Sequence, residues 1–471
     1  MTPGPLDLAH AFDFEPVEGA HAIAAVEGTP PRFLRGTLYV NGPARFRRGG
    51  LAYRHWLDGD GMVVALRFAA EGVDCVARFV RSRKWVEEEA AGRALYRAFG
   101  TAFAGDRLAN AGLASPVNVS VYPFAGNLLA FGEQGLPWRL DPRSLETLGE
   151  QDFGRLTPFS PFSAHPKIDP TSGELFNFGV SFAAERPMLQ IYRFDAAGEL
   201  LYRRRLPLAH PVSLHDFALS ERHVAFYLSP YLLDVRALLG GGATVQDSLA
   251  WRPELGTRLL VVERSTGEPR CELAVGERYC LHHFNAFEEG DRLVLDLVEL
   301  EAPVYPDYQV FPAELFRRVR PAHPVRLIVD LERRALLERQ ELPFDLAADF
   351  PAVDTHRTAR PYRDAWLLAI SRTGRDGPKF FDRLVRIDWE RGEVAESYTA
   401  PSPTLLGGEP AFVPAVAGAR EGVVLCQEFD AVTRQSGFAV FDALAIGRGP
   451  FARIRLGSPL LPGFHSYFAA A

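Results

Sequence analysis

The chain has 471 residues, of which 47% are hydrophobic, 24% charged and 11% aromatic, a composition typical of a globular protein. Its net charge of −7, without any long block of like charge, excludes electrostatic binding of nucleic acid. No run of about 18 apolar residues occurs and the N-terminal segment lacks the features of a signal peptide, so we expect no membrane-spanning helix.

Four cysteines are scattered along the chain, with no CxxC pair and no dense spacing. This usage fits a reducing cytoplasm better than secretion, and we expect the cysteines to be small buried hydrophobes. They are Cys75, Cys271, Cys280 and Cys426.

Short runs rich in Val, Ile, Leu, Phe and Tyr extend along the whole chain, broken by Gly, Asp or Pro about every ten residues. This periodicity predicts an all-β protein. Helical periodicity is limited to three segments that are apolar on one face, at residues 84–105, 229–240 and 312–319.

One local pattern recurs along the chain: an apolar strand ends in Asp or Glu, turns and restarts. Asp accepts hydrogen bonds from its own downstream backbone and Gly tolerates positive φ, so the pattern predicts tight hairpins. Hairpins over residues 1–471 without a Pro/Ser-rich linker favour a single β-propeller domain over tandem domains, although their spacing does not give the number of blades. The pattern begins near residues 139, 167, 193, 262, 328, 386 and 440.

Four of the twelve histidines share a setting at the start or end of an apolar strand. Each alone would be interpreted as a hydrogen-bonded core or turn histidine. A propeller, however, directs the innermost strand of every blade toward one axis, and ligation by imidazoles alone suits Fe, Zn, Cu or Ni. The four are His165, His215, His282 and His465.

The third of these begins the sequence HHFNAF, in which two histidines are adjacent. Neighbouring side chains on a strand point to opposite faces, so only one of His282 and His283 faces inward.

A series of motifs, in order over nearly the full length, resembles the carotenoid cleavage oxygenase family. That family includes apocarotenoid oxygenases, lignostilbene dioxygenases and the retinal pigment epithelium isomerohydrolase. The motifs are NGP (41–43), YRHWLDGDGM (53–62), LLAFGEQGLPWRLDPRSLETLG (128–149), AHPKIDPTSGEL, LHDFAL, HHFNAFEEGDRLVLD, DFPAVDTHRTARPY (349–362), GGEPAFVP (407–414) and LPGFHSYF.

The resemblance implies a seven-bladed β-propeller with a small helical and loop cap, inserted near residues 84–110, 229–256 and 303–320. It also implies one Fe2+ per chain on the propeller axis, held by the four histidines named above. His282 would be the inward ligand of the adjacent pair, and His283 would face away. The other histidines, including His55 in the HWLDGDGM turn, are expected to be structural.

Three carboxylates would accept the second N–H of three ligands and fix the tautomer and ring angle of each. By the same resemblance these are Glu133 for His215, Asp349 for His282 and Glu409 for His465. Asp349 departs from the glutamate of the family, so its contact to the histidine would be rebuilt by a backbone shift, bridged by water or lost.

The implied activity is O2-dependent cleavage of a C=C bond in a hydrophobic polyene, giving aldehyde or ketone products. Lignostilbene cleavers carry a lysine just before the first of these carboxylates, whereas this chain has Gly132 there. That favours a carotenoid or apocarotenoid over a phenolic stilbene.

The apolar segments near residues 92–105 and 229–240 resemble the region that contacts membranes in this family. We expect peripheral, reversible membrane contact at most. Whether these segments instead pack on the propeller stays open, as does the oligomeric state.

Two other functions remain open. An iron-dependent polyene isomerase or isomerohydrolase on the same scaffold would turn over without O2. A non-enzymatic propeller with structural histidines would bind well under one iron per chain. Buried imidazoles that converge without a metal would leave unsatisfied polar groups costing about 1–3 kcal/mol each, which disfavours the binding module.

Overall fold

The computed structural model describes residues 6–109, 114–182 and 186–471. Almost all regular structure in these residues is β-strand in antiparallel sheets, so the predicted all-β class is confirmed. The described α-helices are short: Leu8–Ala11, Arg83–Ala91 and Val235–Leu239. The described 3-10 helices are Trp56–Asp58, Gln246–Ser248, Pro253–Leu255, Tyr305–Tyr308, Thr355–Arg357 and Ile446–Arg448.

The strands group into sheets of four or five, called sheets 1 to 7 below. Strands of sheet 1, in hydrogen-bonded order, are Gly19–His21, Gly72–Phe79, Asp60–Ala69, Gly36–Arg45 and Ser466–Ala470. Sheet 2 consists of Thr147–Glu150, Trp138–Leu140, Asn127–Phe131 and Ser120–Phe124. Sheet 3 consists of Lys167–Ile168, Leu175–Ser181, Met188–Phe194 and Leu200–Pro207. Sheet 4 consists of Ala218–Leu219, His223–Leu228, Thr257–Glu263 and Pro269–Gly276.

Sheets 5 and 6 are joined by one parallel residue pair, Ala322 with Ala347, into a continuous eight-stranded sheet. Strands of sheet 5 are Tyr279–Glu289, Arg292–Leu300, Ala322–Asp330 and Ala335–Glu341. Sheet 6 consists of Ala347–Val353, Asp364–Ile370, Arg383–Asp388 and Glu393–Thr399. Sheet 7 consists of Thr404–Pro414, Gly422–Asp430, Ser436–Asp442, Ala452–Leu456 and Ile23–Gly28. Two small ribbons pair Tyr231–Leu233 with Leu249–Trp251, and Arg47–Arg48 with Leu51–Ala52.

Strands from the two ends of the chain share sheets. Gly36–Arg45 pairs with Ser466–Ala470 in sheet 1, and Ile23–Gly28 pairs with Ala452–Leu456 in sheet 7. Side chains of Phe, Leu and Val fill the space between successive sheets; between sheets 3 and 4 they include Phe176, Phe178, Phe217 and Phe226. Pairing of the ends therefore ties the first and last strands into the same core.

The recurring Asp-containing hairpins are confirmed. Five of the seven connect the third strand of a sheet to its outermost strand. The one near residue 167 connects the first two strands of sheet 3, and the one near residue 440 connects Ser436–Asp442 to Ala452–Leu456 in sheet 7, where Ile23–Gly28 is outermost. Asp141 shows the expected turn chemistry, because its Oδ1 accepts hydrogen bonds from the backbone N–H groups of Arg143 and Ser144.

The helix predicted for residues 84–105 is wrong beyond its first turns. It begins after Ser82, whose Oγ accepts the N–H of Trp85, and ends at Gly92, which has a φ of +64°. Beyond that glycine, Glu88 Oε1 accepts the N–H groups of Leu95 and Tyr96 and holds the chain in a loop.

The other two predicted helices are also corrected. Residues 229–240 contain the strand Tyr231–Leu233 and only a five-residue helix, Val235–Leu239. Residues 312–319 form successive turns, because Val310 and Phe316 have positive φ values that interrupt a helix.

Candidate metal centre

The four histidines singled out in the sequence meet at one buried point. One ring nitrogen of each lies within 4.8 Å of those of the others. Nε2 of His215 is 2.9 Å from Nε2 of His165 and 3.2 Å from Nε2 of His282. Two nitrogens each about 2.1 Å from a metal and at right angles are about 3 Å apart, so the spacing fits ligation of one ion.

Edge strands bring these side chains together. His465 directly precedes an edge strand of sheet 1, whereas His165 lies two residues before an edge strand of sheet 3 and His215 three residues before an edge strand of sheet 4. His282 lies within the edge strand Tyr279–Glu289 of sheet 5. Four different sheets thus each contribute one imidazole.

Carboxylates stand behind three of the four rings. Nδ1 of His215 is 2.8 Å from Oε1 of Glu133, and Nδ1 of His465 is 2.8 Å from Oε2 of Glu409. The shorter Asp349 still contacts its histidine directly: its Oδ1 is 2.6 Å from Nδ1 of His282. The direct contact excludes both a lost and a water-bridged arrangement.

These contacts fix the tautomers. Because each Nδ1–H donates to a carboxylate, the Nε2 atoms of His215, His282 and His465 carry lone pairs. Unprotonated nitrogens cannot hydrogen-bond to one another, so their approach in a buried space leaves lone pairs facing each other. A cation among them removes this repulsion, and the donor set suits Fe, Zn, Cu or Ni.

Irregular strand pairing directs the side chains of several of these residues toward the centre. The pairing of Tyr279–Glu289 with its neighbour shifts register on both sides of His283. Similar shifts occur after Asp349 and between Gly407 and Ala411, the segment that contains Glu409. Such bulges commonly redirect side chains beside active sites.

Burial and the neighbouring carboxylates act in opposite directions on the pKa values of the rings. It lowers the pKa of His165 well below its ordinary value, helped by the nearby His215, and it lowers the pKa of His282 although Asp349 opposes the shift. Burial also acts to lower the pKa of His215, but the Glu133 carboxylate outweighs it and raises that pKa. Neutral imidazoles are the form that ligates metals.

A cavity of about 670 Å³ lies beside the centre. His215, His282 and His465 line it together with Glu133 and Asp349, whereas His165 does not. The wall is largely apolar and aromatic, as in pockets for hydrophobic ligands. Its aromatic residues include Trp56, Phe99, Tyr305, Tyr308, Phe350 and Phe464.

The outer part of the cavity is formed by exposed apolar residues. Leu239 is 68% exposed, Phe159 66% and Leu108 41%, and all three line the cavity. Among the described residues, no helix is both long and apolar enough to cross a bilayer.

The two remaining histidines discussed above lie outside the cluster. His283 is buried but directed toward Asp216, with Nδ1 3.5 Å from Oδ2. His55 is fully buried and uses both ring nitrogens structurally: Nδ1 accepts the N–H of Leu57, and Nε2 donates to the carbonyl of Tyr305.

Sequence reasoning missed Phe350. Its φ is +53°, rare for a bulky residue, and its ring packs 5.9 Å from that of His282 and 5.2 Å from that of His465. Strained backbone of this kind persists only where its surroundings enforce it. No local sequence signal marks the position, because the strain depends on contacts with distant strands.

Comparison with known proteins gives a consistent result. The family model described as RPE65, retinal pigment epithelial membrane protein, matches residues 14–470. Apocarotenoid-15,15'-oxygenase of Synechocystis sp. is 31% identical, over 96% of this chain and 94% of the relative. Lignostilbene-alpha,beta-dioxygenase isozyme III of Sphingomonas paucimobilis is 28% identical, over 97% of this chain and 95% of the relative.

Among solved structures, the crystal structure of cobalt-substituted Synechocystis ACO superposes with a TM-score of 0.89 at 28% identity. The match covers 99% of this chain and 98% of that one. The family model spans nearly the whole chain, and the four imidazoles converge on one point. The chain therefore belongs to the carotenoid oxygenase family and is an oxygenase.

Proposed function

We propose that this oxygenase is a non-haem Fe(II) dioxygenase that cleaves one C=C bond of a carotenoid or apocarotenoid with O2, giving two carbonyl products. His165, His215, His282 and His465 hold one Fe2+ per chain. The observation that carries the proposal is the convergence of their ring nitrogens within 4.8 Å of one another beside a largely apolar cavity.

Each group of residues has a separate role. Ferrous iron, when bound, supplies the electron chemistry that makes O2 reactive toward an alkene. Glu133, Asp349 and Glu409 each accept an Nδ1–H and thereby keep an Nε2 lone pair directed at the metal position. Apolar walls exclude bulk water and hold the polyene next to the open side of the centre.

The space around Gly132 supports a polyene over a phenolic stilbene. A Cβ atom at this position would lie 2.0 Å from Oγ of Ser115 and 3.2 Å from the Cα of Val117. Any side chain here must displace the Ser115 hydroxyl, so a lysine fits less readily than the glycine present.

The sheet arrangement supports a seven-bladed propeller, with sheets 1 to 7 as the blades. Its cap would be the three segments 84–110, 229–256 and 303–320, of which residue 110 lies outside the described residues. All three contribute to the cavity wall, through Phe99, Leu239 and Tyr305 among others.

Exposed apolar residues at the cavity's outer part support reversible contact with a membrane, from which a water-insoluble polyene would enter. Four buried, unpaired cysteines support a cytoplasmic location.

The experiment is turnover by anaerobically iron-loaded protein of a panel of carotenoids, apocarotenals and stilbenes. We expect aldehydes from carotenoids or apocarotenals under air, each carrying one 18O atom when 18O2 is supplied, and no products without O2. Turnover without O2 would instead identify an isomerase. Cleavage of stilbenes alone would identify a stilbene-cleaving dioxygenase. If the reconstituted protein contained well under one iron per chain, the remaining interpretation would be a non-enzymatic binding module.

A further inference from the structure

A largely buried group of charged and polar side chains lies outside the cavity, immediately behind the histidine cluster. It consists of Lys167, Asp216 and His283, and none of the three lines the cavity. Each lies one or two positions after a proposed ligand, since they follow His165, His215 and His282 in the sequence. We call this group the Asp216 clamp.

Asp216 is the centre of the clamp. Its side chain is 2% exposed, and its Oδ1 lies 2.8 Å from Nζ of Lys167 in sheet 3. Its Oδ2 accepts the backbone N–H of His283 in sheet 5 at 2.9 Å. The same carboxylate accepts the N–H of Phe217 through Oδ1, at 2.8 Å. One carboxylate in the sheet 4 segment thus connects three sheets.

The backbone contact has a physical reason. Tyr279–Glu289 is an edge strand, so some of its N–H groups have no neighbouring strand to receive them, and its pairing is irregular on both sides of His283. A buried N–H without a partner is costly, and the Asp216 carboxylate supplies the acceptor. Lys167 then compensates the buried negative charge.

The geometry points to a positioning role: we propose that the Asp216 clamp fixes the mutual placement of His165, His215 and His282 and so sets the affinity and geometry of the metal centre. This rests on the proposed function, in which these histidines ligate iron. Buried ionic contacts of this kind specify an arrangement more than they add stability.

The fourth histidine does not depend on the clamp. His465 is held by Glu409 through Nδ1, and its carbonyl accepts the N–H of Asn41 at 3.0 Å. No clamp residue is adjacent to His465 in the sequence. Loss of the clamp should therefore loosen the backbone that carries the other three ligands, although His215 and His282 keep their carboxylate partners, and leave His465 in place. Ser163 also connects His165 to His215, because its Oγ donates to the carbonyl of His215 at 3.0 Å and accepts the N–H of His165 at 3.2 Å.

The test compares Lys167→Met with Arg363→Met. Both wild-type cations are partly exposed, at 22% and 30%, and each pairs with a nearly buried aspartate, Asp216 or Asp388. The measurements are the Fe(II) dissociation constant by anaerobic chelator competition, the visible absorption spectrum of the Co(II)-loaded protein, and Tm. Arg363 also pairs with the exposed Glu390, and the hydrogen bonds and ion pairs of Arg363 and Asp388 do not reach the histidine cluster. That variant therefore controls for loss of a cation from a buried aspartate.

We expect Lys167→Met to weaken Fe(II) binding by about 10-fold, the lower end of the effect of outer partners of metal ligands, and to alter the Co(II) spectrum. Arg363→Met should lower Tm without either change. Lys167→Arg should keep the affinity near that of wild type, because a guanidinium again compensates the buried carboxylate.

An Fe(II) affinity within twofold of wild type and an unchanged Co(II) spectrum in Lys167→Met would overturn the clamp, as would equal effects in Arg363→Met. Both readouts are independent of substrate. If the wild-type protein binds Fe(II) but cleaves no polyene, the proposed function is wrong and the clamp proposal stands. If it binds no divalent metal, both proposals are wrong.

Discussion

The carboxylate of Asp349 reaches Nδ1 of His282 at 2.6 Å, although an aspartate is one methylene shorter than the glutamate expected there. The same Oδ1 atom accepts the backbone N–H of Phe350 at 2.8 Å. Phe350 has a positive φ, so the backbone turns sharply directly after the acid. The local backbone is therefore compatible with the shorter side chain.

Asp349→Glu should consequently weaken iron binding and not improve it. The extra methylene has no space between a carboxylate and an imidazole already 2.6 Å apart, so the ring or the strand must shift. We expect an Fe(II) dissociation constant about 10-fold higher than that of wild type, measured anaerobically by chelator competition. Asp345→Glu, at an exposed position on the same segment, is the control. Tighter binding by Asp349→Glu would show that the natural residue is a compromise.

Glu133→Gln tests the orientation of His215. A neutral amide accepts the Nδ1–H more weakly than a carboxylate, so the imidazole becomes a poorer ligand. We expect Fe(II) affinity to fall about 10- to 100-fold with little loss of stability, because the Glu133 side chain is 31% exposed. Glu146→Gln, which changes an exposed acid in the turn before the strand Thr147–Glu150, should leave the affinity unchanged.

Local chemistry explains which elements could be predicted from the sequence. Hairpins were predictable because an Asp such as Asp141 and the backbone it contacts lie within a few residues of each other. The extent of the helix after Ser82 was not, because Gly92 ends it and Glu88 then binds the following N–H groups. Apolar periodicity alone does not register such a side-chain contact.

The metal centre is a different case. His215 and His282 are separated by 67 residues and His282 and His465 by 183, so no local spacing indicates that they meet. Only the resemblance to a known family predicted that these histidines ligate one metal together. The bulges that aim His282 and Asp349 depend on strand pairing, which residue types do not specify.

Gly132 should resist even the smallest side chain. A Cβ there would meet Ser115 Oγ at 2.0 Å, so Gly132→Ala must displace this hydroxyl, which accepts the N–H of Val117. We expect a loss of about 1–3 kcal/mol in the free energy of unfolding, measured in urea. Adding Ser115→Gly removes the obstructing atom and should restore at least half of the loss. A double variant no more stable than Gly132→Ala would locate the strain elsewhere.

Asp58 should make stability depend on pH. Burial raises its pKa from 3.8 to about 6, although the Thr101 hydroxyl and the Gly100 N–H oppose the shift. The folded state then binds more protons than the unfolded state between about pH 4 and 6, so stability falls as pH rises through that window, by about 3 kcal/mol in all. Asp58→Asn should remove this slope. The free energy of unfolding of wild type and of Asp58→Asn is measured at pH 4 and pH 7. An equal change between the two pH values in both proteins would contradict the role of Asp58.

Leu239→Ser tests the proposed membrane contact. Leu239 is 68% exposed and lines the cavity, whereas Val416 is 69% exposed and does not, so Val416→Ser is a matched control. Partial burial of a leucine at a lipid interface is worth about 1 kcal/mol, so we expect roughly fivefold weaker association in liposome flotation for Leu239→Ser alone. Equal weakening in both variants would mean that another face meets the lipid. Wild-type protein that does not float with liposomes would exclude the contact, and substrate would then have to reach the cavity through water or from a carrier.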